Sequence, residues 1–357
     1  MPRIATEAHP HERPGCAGPG RTARRFASLA ATGIVTLISL AAPFLAAACG
    51  ESSSRSRTEQ GASDTIVRTG NPYERGLTDA DFPRVQQVAH GVYTYEQLRS
   101  AGDEKFTTVS MFVVTPEGVL VADGQGSVEE TKRFLDTIAG ITSAPITHVV
   151  ICSDHGDHTG GNSAFPTTAT FIAHPTSAAA LAASASSPNR PADAPPVVLP
   201  TKLVADHETI RLGDREIEIF FLGRAHTGGD LEVYLPADKI LFMSESFLNR
   251  IFPAMRSAYP SEWVEMIGKA QKMDVDVFVP GHGFVDPPAI LEEELETYRS
   301  AIVSVIAEAR RLHDAGLAVD DAVEQADFGE LDSWTLRASQ APIAIRRVYV
   351  ELDGGLK

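Results

Sequence analysis

Three residues of metal-binding type fall within four positions in the run Cys152-Ser153-Asp154-His155-Gly156-Asp157-His158-Thr159-Gly160-Gly161-Asn162. The imidazoles of His155 and His158 and the carboxylate of Asp157 converge on one ion only if the chain makes a tight loop. The glycines at 156, 160 and 161 permit that loop. Two more histidines stand in similar surroundings, His226 in Gly223-Arg224-Ala225-His226-Thr227-Gly228-Gly229-Asp230 and His282 in Val279-Pro280-Gly281-His282-Gly283. A single histidine in a polar turn is more often a solvated or capping residue. Five nitrogen and oxygen donors in three glycine-flanked loops, each after a strand-like run, point to a metal centre instead. Zinc suits such a donor set. With three protein ligands and an open position it lowers the pKa of a bound water to about 7.

The elements around these loops predict how they meet. Strand-like runs at 88–95, 109–114 and 118–123 open a β-meander. An amphipathic helix is predicted over 128–139, then a buried strand over 148–152 that leads into the first loop. The alternation continues with a strand at 171–173, a helix at 175–183 and a Pro- and Ser-rich loop at 184–200. Further strands are expected at 209–212, 217–222, 231–235, 240–243 and 275–279, with a helix at 261–273 before the last of them. This order suggests two mixed sheets covered on their outer faces by helices, a four-layer αββα sandwich of the α/β class. A helical appendage follows, with a long amphipathic segment at 289–315 and a short one at 343–351.

The 357-residue chain has 43% hydrophobic and 22% charged residues, an ordinary globular balance. Its first fifty residues differ. Arg21, Arg24 and Arg25 precede an apolar run over 26–48 that ends in Ala46-Ala47-Ala48-Cys49-Gly50. A basic start, an apolar middle and small residues before a cut site form an export signal, and a cysteine directly after them resembles a bacterial lipoprotein signal. The expected organisation is a signal peptide over 1–48, lipidated Cys49 as the first mature residue, a tether over 49–80, a catalytic domain over 81–286 and a helical region over 287–357. A plain cleaved signal and an uncleaved membrane anchor are the alternatives. All three place the folded domain outside the cytoplasm, and the lipid-anchored reading attaches it to the cell envelope. Of the three cysteines, only Cys152 then remains in the mature domain, so no intrachain disulfide is expected and Cys152 reads as a small core residue. The net charge is −16, and because residues 1–48 hold five Arg against two Glu, the mature part is near −19. That balance argues against nucleic acid as a partner and leaves a small-molecule substrate.

The ordered motifs resemble those of the metallo-β-lactamase superfamily over about 85–285: a His-x-His-x-Asp-His loop, then Gly-x-x-His-Thr, then an acidic residue after a strand, then Pro-Gly-His-Gly. The resemblance implies His155 and His226 on one zinc, Asp157, His158 and His282 on a second, and Glu245 where the family has a bridging Asp. It implies catalytic roles for Asp157 and His226, and for Asp123 a role in orienting the ligand loop, a turn carboxylate being the equal alternative. Ser153 stands where the family has its first histidine, and Ser is a poor zinc ligand, so the first site is short of a donor and one or two zinc ions per chain are implied. Asp154 is a possible substitute donor.

The implied reaction is hydrolysis of an ester, thioester, lactone or β-lactam amide, a metal-bound hydroxide attacking the carbonyl. Two other readings use the same residues. One is a binding domain with a degenerate metal site. The other is an iron-dependent thiol or persulfide oxidoreductase, disfavoured by Ser153 and Glu245. Pocket walls are expected from 184–200 and from 247–259, with Phe252, Met255, Tyr259 and Trp263.

Overall fold

The computed structural model describes residues 66–356. The signal-like segment and Cys49 lie outside the described residues.

Strands β1 (Arg84–Ala89), β2 (Val92–Ala101), β3 (Glu104–Thr115) and β4 (Gly118–Ala122) form the expected meander. The run read as one strand at 88–95 is in fact two, because Gly91 takes a left-handed turn (φ +70°) between β1 and β2. Helix α1 (Val128–Ile141) starts at Ser127, whose hydroxyl accepts the Glu130 N–H, and it buries Thr131, Phe134 and Ile138. Strands β5 (Ile146–Ile151), β6 (Thr170–Ala173) and β7 (Lys202–Leu203) add in parallel beside β4, with the short helix α2 (Gly156–Thr159) and helix α3 (Pro175–Ala185) between them.

The second set comprises β8 (His207–Leu212), β9 (Arg215–Phe220), β10 (Glu232–Leu235), β11 (Ile240–Leu248) and β12 (Val277–His282), with helix α4 (Pro260–Ala270) joining the last two. The two expected sheets are present and joined along one hydrogen-bonded path. One edge of β3 pairs with β4 over Met111–Thr115 and, further back, meets β12 at Thr108 opposite His282. The sheets fork there. β3 is antiparallel to both β4 and β12, while β11 runs parallel to β12 and β9 parallel to β11 through β10. Strands β4, β5, β9, β11 and β12 therefore all end at one edge, and the loops that follow them face one another. In α/β sheets that carboxyl edge is where ligands bind.

One apolar core lies between the sheets and extends under the C-terminal helices, through Phe242, Trp263, Leu295, Ile345 and Val348. A second packs α1 and α3 on the outer face of the first sheet, around Phe112, Phe134 and Ile151. The C-terminal region holds α5 (Pro288–Asp314), α6 (Val319–Gln325) and α7 (Arg337–Leu352). Helix α7 starts six residues before the expected 343, with Pro342 inside it. Burial of Ala341, Ala344, Ile345 and Val348 against α5 outweighs the missing N–H. No helix among the described residues is long and apolar enough to cross a membrane.

Candidate metal centre

The loop after β5 is held by a carboxylate from the neighbouring strand end. Asp123, at the end of β4, is fully buried and has φ +61°, a left-handed conformation that costs a non-glycine residue about 1–3 kcal/mol. Its Oδ1 accepts the N–H of Cys152 at 2.8 Å and of Ser153 at 3.4 Å. Its Oδ2 accepts the Ser244 hydroxyl and lies 3.0 Å from His158 Nδ1. Asp123 thus ties the start of the loop to β11, the contacts that an orienting residue would make. Outer-shell partners of this kind typically contribute about 10–100-fold to metal affinity. Asp123→Ala is expected to weaken zinc binding by that factor in a competition assay with a chromogenic chelator.

Ser244, also left-handed (φ +47°), breaks the register between β11 and β12, and the kink turns Glu245 into the centre. For this reason the strand expected at 240–243 is longer: β11 continues through the kink to Leu248. Gly281 makes the approach possible, because a methyl group there would overlap the Ser244 backbone. His282 follows, its Nδ1 donating to the Thr107 carbonyl at 2.7 Å, so that Nε2 turns inward toward the Asp157 and Glu245 carboxylates.

Six residues meet as two groups that share Glu245. In one, His155 Nδ1 and His226 Nε2 lie 2.9 Å apart and 2.9 and 3.0 Å from Glu245 Oε2. In the other, His158 Nε2 and His282 Nε2 are 3.3 Å apart, Asp157 Oδ2 is 3.7 and 3.2 Å from them, and Glu245 Oε1 is 3.7 and 3.2 Å from them. All six residues that the motifs single out are brought together, with one carboxylate oxygen of Glu245 in each group. His226, His158, Glu245 and His282 are buried, while Asp157 and His155 keep about a quarter of their side chains exposed and face the opening.

Ser153 is not idle. Its hydroxyl donates to Glu245 Oε2 at 2.7 Å, so the residue that replaces the expected histidine steadies the shared carboxylate. Asp154 joins neither group. It pairs with Ser177, and burial raises its carboxyl. Cys152 is buried and unpaired, and burial carries its thiol well above the usual range, which makes it inert. His148 pairs with Thr147, and His174 caps α3 and stacks on Phe221, so both stay outside the centre.

Electrostatics follow from this packing. Burial would lower the His155 and His282 imidazoles, yet the carboxylates of Glu245 and Asp157 outweigh it and lift them to about 9 and about 10. Burial would likewise raise Asp157 and Glu245, but His158 acting on the first, and His226 and His155 on the second, hold both below the ordinary carboxylate range.

The groups open into a cavity of about 250 Å³. Its walls differ from those expected. Phe252, Met255 and Trp263 are fully buried core, and Tyr259 lies under the Arg224 guanidinium, 3.9 Å from its ring centre. From this stretch the cavity takes Leu248, Ile251, Ala254 and Arg256, because the backbone turns the larger side chains inward to meet α5 and Phe328. The loop at 184–200 lines a separate depression with Gly126 and Thr159.

A sequence model described as the metallo-beta-lactamase superfamily matches residues 104–282. A metallo-beta-lactamase type 2 from Bacillus sp. (strain 170) is 24% identical over 220 residues, 59% of this chain and 80% of the relative. The 2,4-dinitroanisole O-demethylase subunit alpha of Nocardioides sp. (strain JS1661) is 21% identical over 234 residues, 64% of this chain and 66% of that protein. Among solved structures, a metallo-beta-lactamase from Pontibacter korlensis superposes with a TM-score of 0.55 at 21% identity, over 61% of this chain and 98% of its own. With the family's motifs matched over half of the chain and gathered by its fold into one centre, this protein belongs to the metallo-beta-lactamase superfamily and is a metallo-hydrolase of the β-lactamase-like type.

Proposed function

We propose that the chain hydrolyses the carbonyl bond of a small ester, thioester, lactone or β-lactam, with zinc held by His155, Asp157, His158, His226, Glu245 and His282. The observation that carries this reading is the spacing of the second group. Donors 2.0–2.1 Å from a tetrahedral ion lie about 3.3 Å from one another. The separations among Asp157, His158, Glu245 and His282 are 3.2–3.7 Å. The first group, with separations of 2.9–3.0 Å and Ser153 in place of a donor, is the weaker site.

When bound, zinc supplies Lewis acidity to a substrate carbonyl and lowers the pKa of a water. The protein's own part is positional. Thr107 fixes the His282 tautomer, Asp123 fixes the loop and Ser153 holds Glu245. Asp157, ionised and facing the cavity, orients the attacking oxygen toward the carbonyl. His226, buried beside His155, faces Glu245 in the other group. An exported location is supported by the basic, apolar and small-residue pattern of residues 21–50 alone.

Elemental analysis of the purified chain, alongside turnover of nitrophenyl esters and a chromogenic cephalosporin, tests the reading. One to two zinc per chain with chelator-sensitive turnover is the expected result. Metal-free protein that stays inactive after zinc is added would overturn it.

A further inference from the structure

The cavity at the candidate metal centre is lined partly by chain beyond the family match, which ends at residue 282. Leu336 and Gln340, at the start of α7, line it. This wall is tied down on two sides. Thr335 bridges to Ile251, and its carbonyl accepts the Phe252 N–H at 2.9 Å. The Leu336 N–H donates to the Glu104 carboxylate at 2.8 Å, which joins α7 to the β2–β3 hairpin. Leu336 holds a left-handed conformation, φ +65°, that a leucine adopts only where its surroundings fix it.

Apart from the five metal-ligand side chains, the lining is apolar except for Arg256 and Gln340. An exposed arginine is ordinarily a solvated charge. Arg256 differs by its place, in the turn after β11 and lining a cavity that also carries the Asp157 and Glu245 carboxylates. Among the described residues it has no ion pair and no hydrogen-bond partner. The neighbouring Arg250 is tied to Glu294, at 2.8 Å through its Nη2. In a chain of net charge −16, a guanidinium left unpaired at the mouth of the reaction cavity is matched to an anion that arrives from outside.

We propose that Arg256 and Gln340 form an anion-recognising rim, so that the substrate is a compact apolar carbonyl compound with one anionic group on the side away from the bond to be cut. Leu336 closes the far end and limits its length. This rests on the hydrolase reading and narrows it, and it makes the C-terminal helices part of the specificity of the site.

Binding of 3-phenylpropanesulfonate, compared with the uncharged methyl 3-phenylpropyl sulfone, tests the rim without turnover. Sulfonates are weak zinc ligands, so the comparison reports on the rim. Calorimetry on the zinc-loaded full chain is expected to show the sulfonate bound at least about tenfold more tightly, with the preference shrinking as salt rises. Arg256→Gln should abolish the preference, Arg256→Lys should keep most of it, and Gln340→Glu should reduce it by giving Arg256 a partner. Equal binding of the two probes by the unsubstituted protein, or an unchanged preference in Arg256→Gln, would overturn the proposal. Ester turnover is measured separately. If none is found while the preference persists and depends on Arg256, the hydrolase reading fails and the rim stands.

Discussion

Replacing His282 by alanine is expected to lower ester or cephalosporin turnover by more than about a hundredfold and to reduce bound zinc below one per chain. The magnitude follows from comparison with milder losses. Removing a group that only orients a ligand typically costs about 10–100-fold, and His282 is itself a donor, with Nε2 3.2 Å from both Asp157 and Glu245. Its ring also faces the cavity, 5.4 Å from Phe106, so the substitution opens space at the floor of the site. His282→Gln keeps most of that volume and serves as the control for packing. Both variants should melt cooperatively, and both should be inactive. Turnover within threefold of the unsubstituted protein, at unchanged zinc content, would remove His282 from the centre and with it the proposed mechanism.

Zinc is expected to raise the melting temperature of the metal-free protein, and to raise it more at pH 8.5 than at pH 6. The metal-free centre is held by protons. His155 and His282, lifted to about 9 and about 10 by the carboxylates around them, contribute stability that is complete below about 6.5 and is lost as pH rises through those values. Asp157 and Glu245 are depressed, so their contribution is present above the ordinary carboxylate range and is lost as pH falls below it. The ion pairs are therefore intact near neutrality. Zinc must displace the imidazole protons, so its binding releases protons and strengthens as pH rises. At free zinc a thousandfold above the dissociation constant the gain is about 4 kcal/mol. For a domain of this size that is about 8–16 °C. Scanning calorimetry at the two pH values, with and without zinc, reads it. A gain that is flat or falls with pH would show that the histidines are not the groups that zinc displaces.

Ser153 shows how far a departure from motif can be judged without coordinates. Its type alone says that one donor is missing. The structure adds that its hydroxyl holds the carboxylate shared by both groups, a role no sequence spacing reveals because Glu245 is ninety-two positions away. The same holds for Asp123. A carboxylate after a buried strand reads equally as a turn residue, and only the pairing of β4 with β5 places it under the loop that it supports.

The ligand set was legible because metal chemistry restricts it. Few side chains bind zinc, and a loop that brings them together needs glycine at fixed places, so residue type and spacing survive in the chain as local signals. Strand runs, helix periodicity and the order of elements were legible for a similar reason, since each depends on neighbours within a few residues. The cavity wall was not. Phe252, Met255 and Trp263 are as apolar as a pocket requires, and sequence cannot tell a side chain that faces the cavity from one that faces α5. The start of α7 was hidden behind Pro342, because the packing that overrides the missing hydrogen bond comes from a helix some forty residues earlier. By itself, then, the sequence determined which side chains make up the candidate metal centre and which elements carry them, both being set by local chemistry. The tertiary structure alone decided what those atoms face, because the apolar walls, Arg256 and Gln340 acquire their meaning from segments that meet only when the sheets fork and the C-terminal helices close over them.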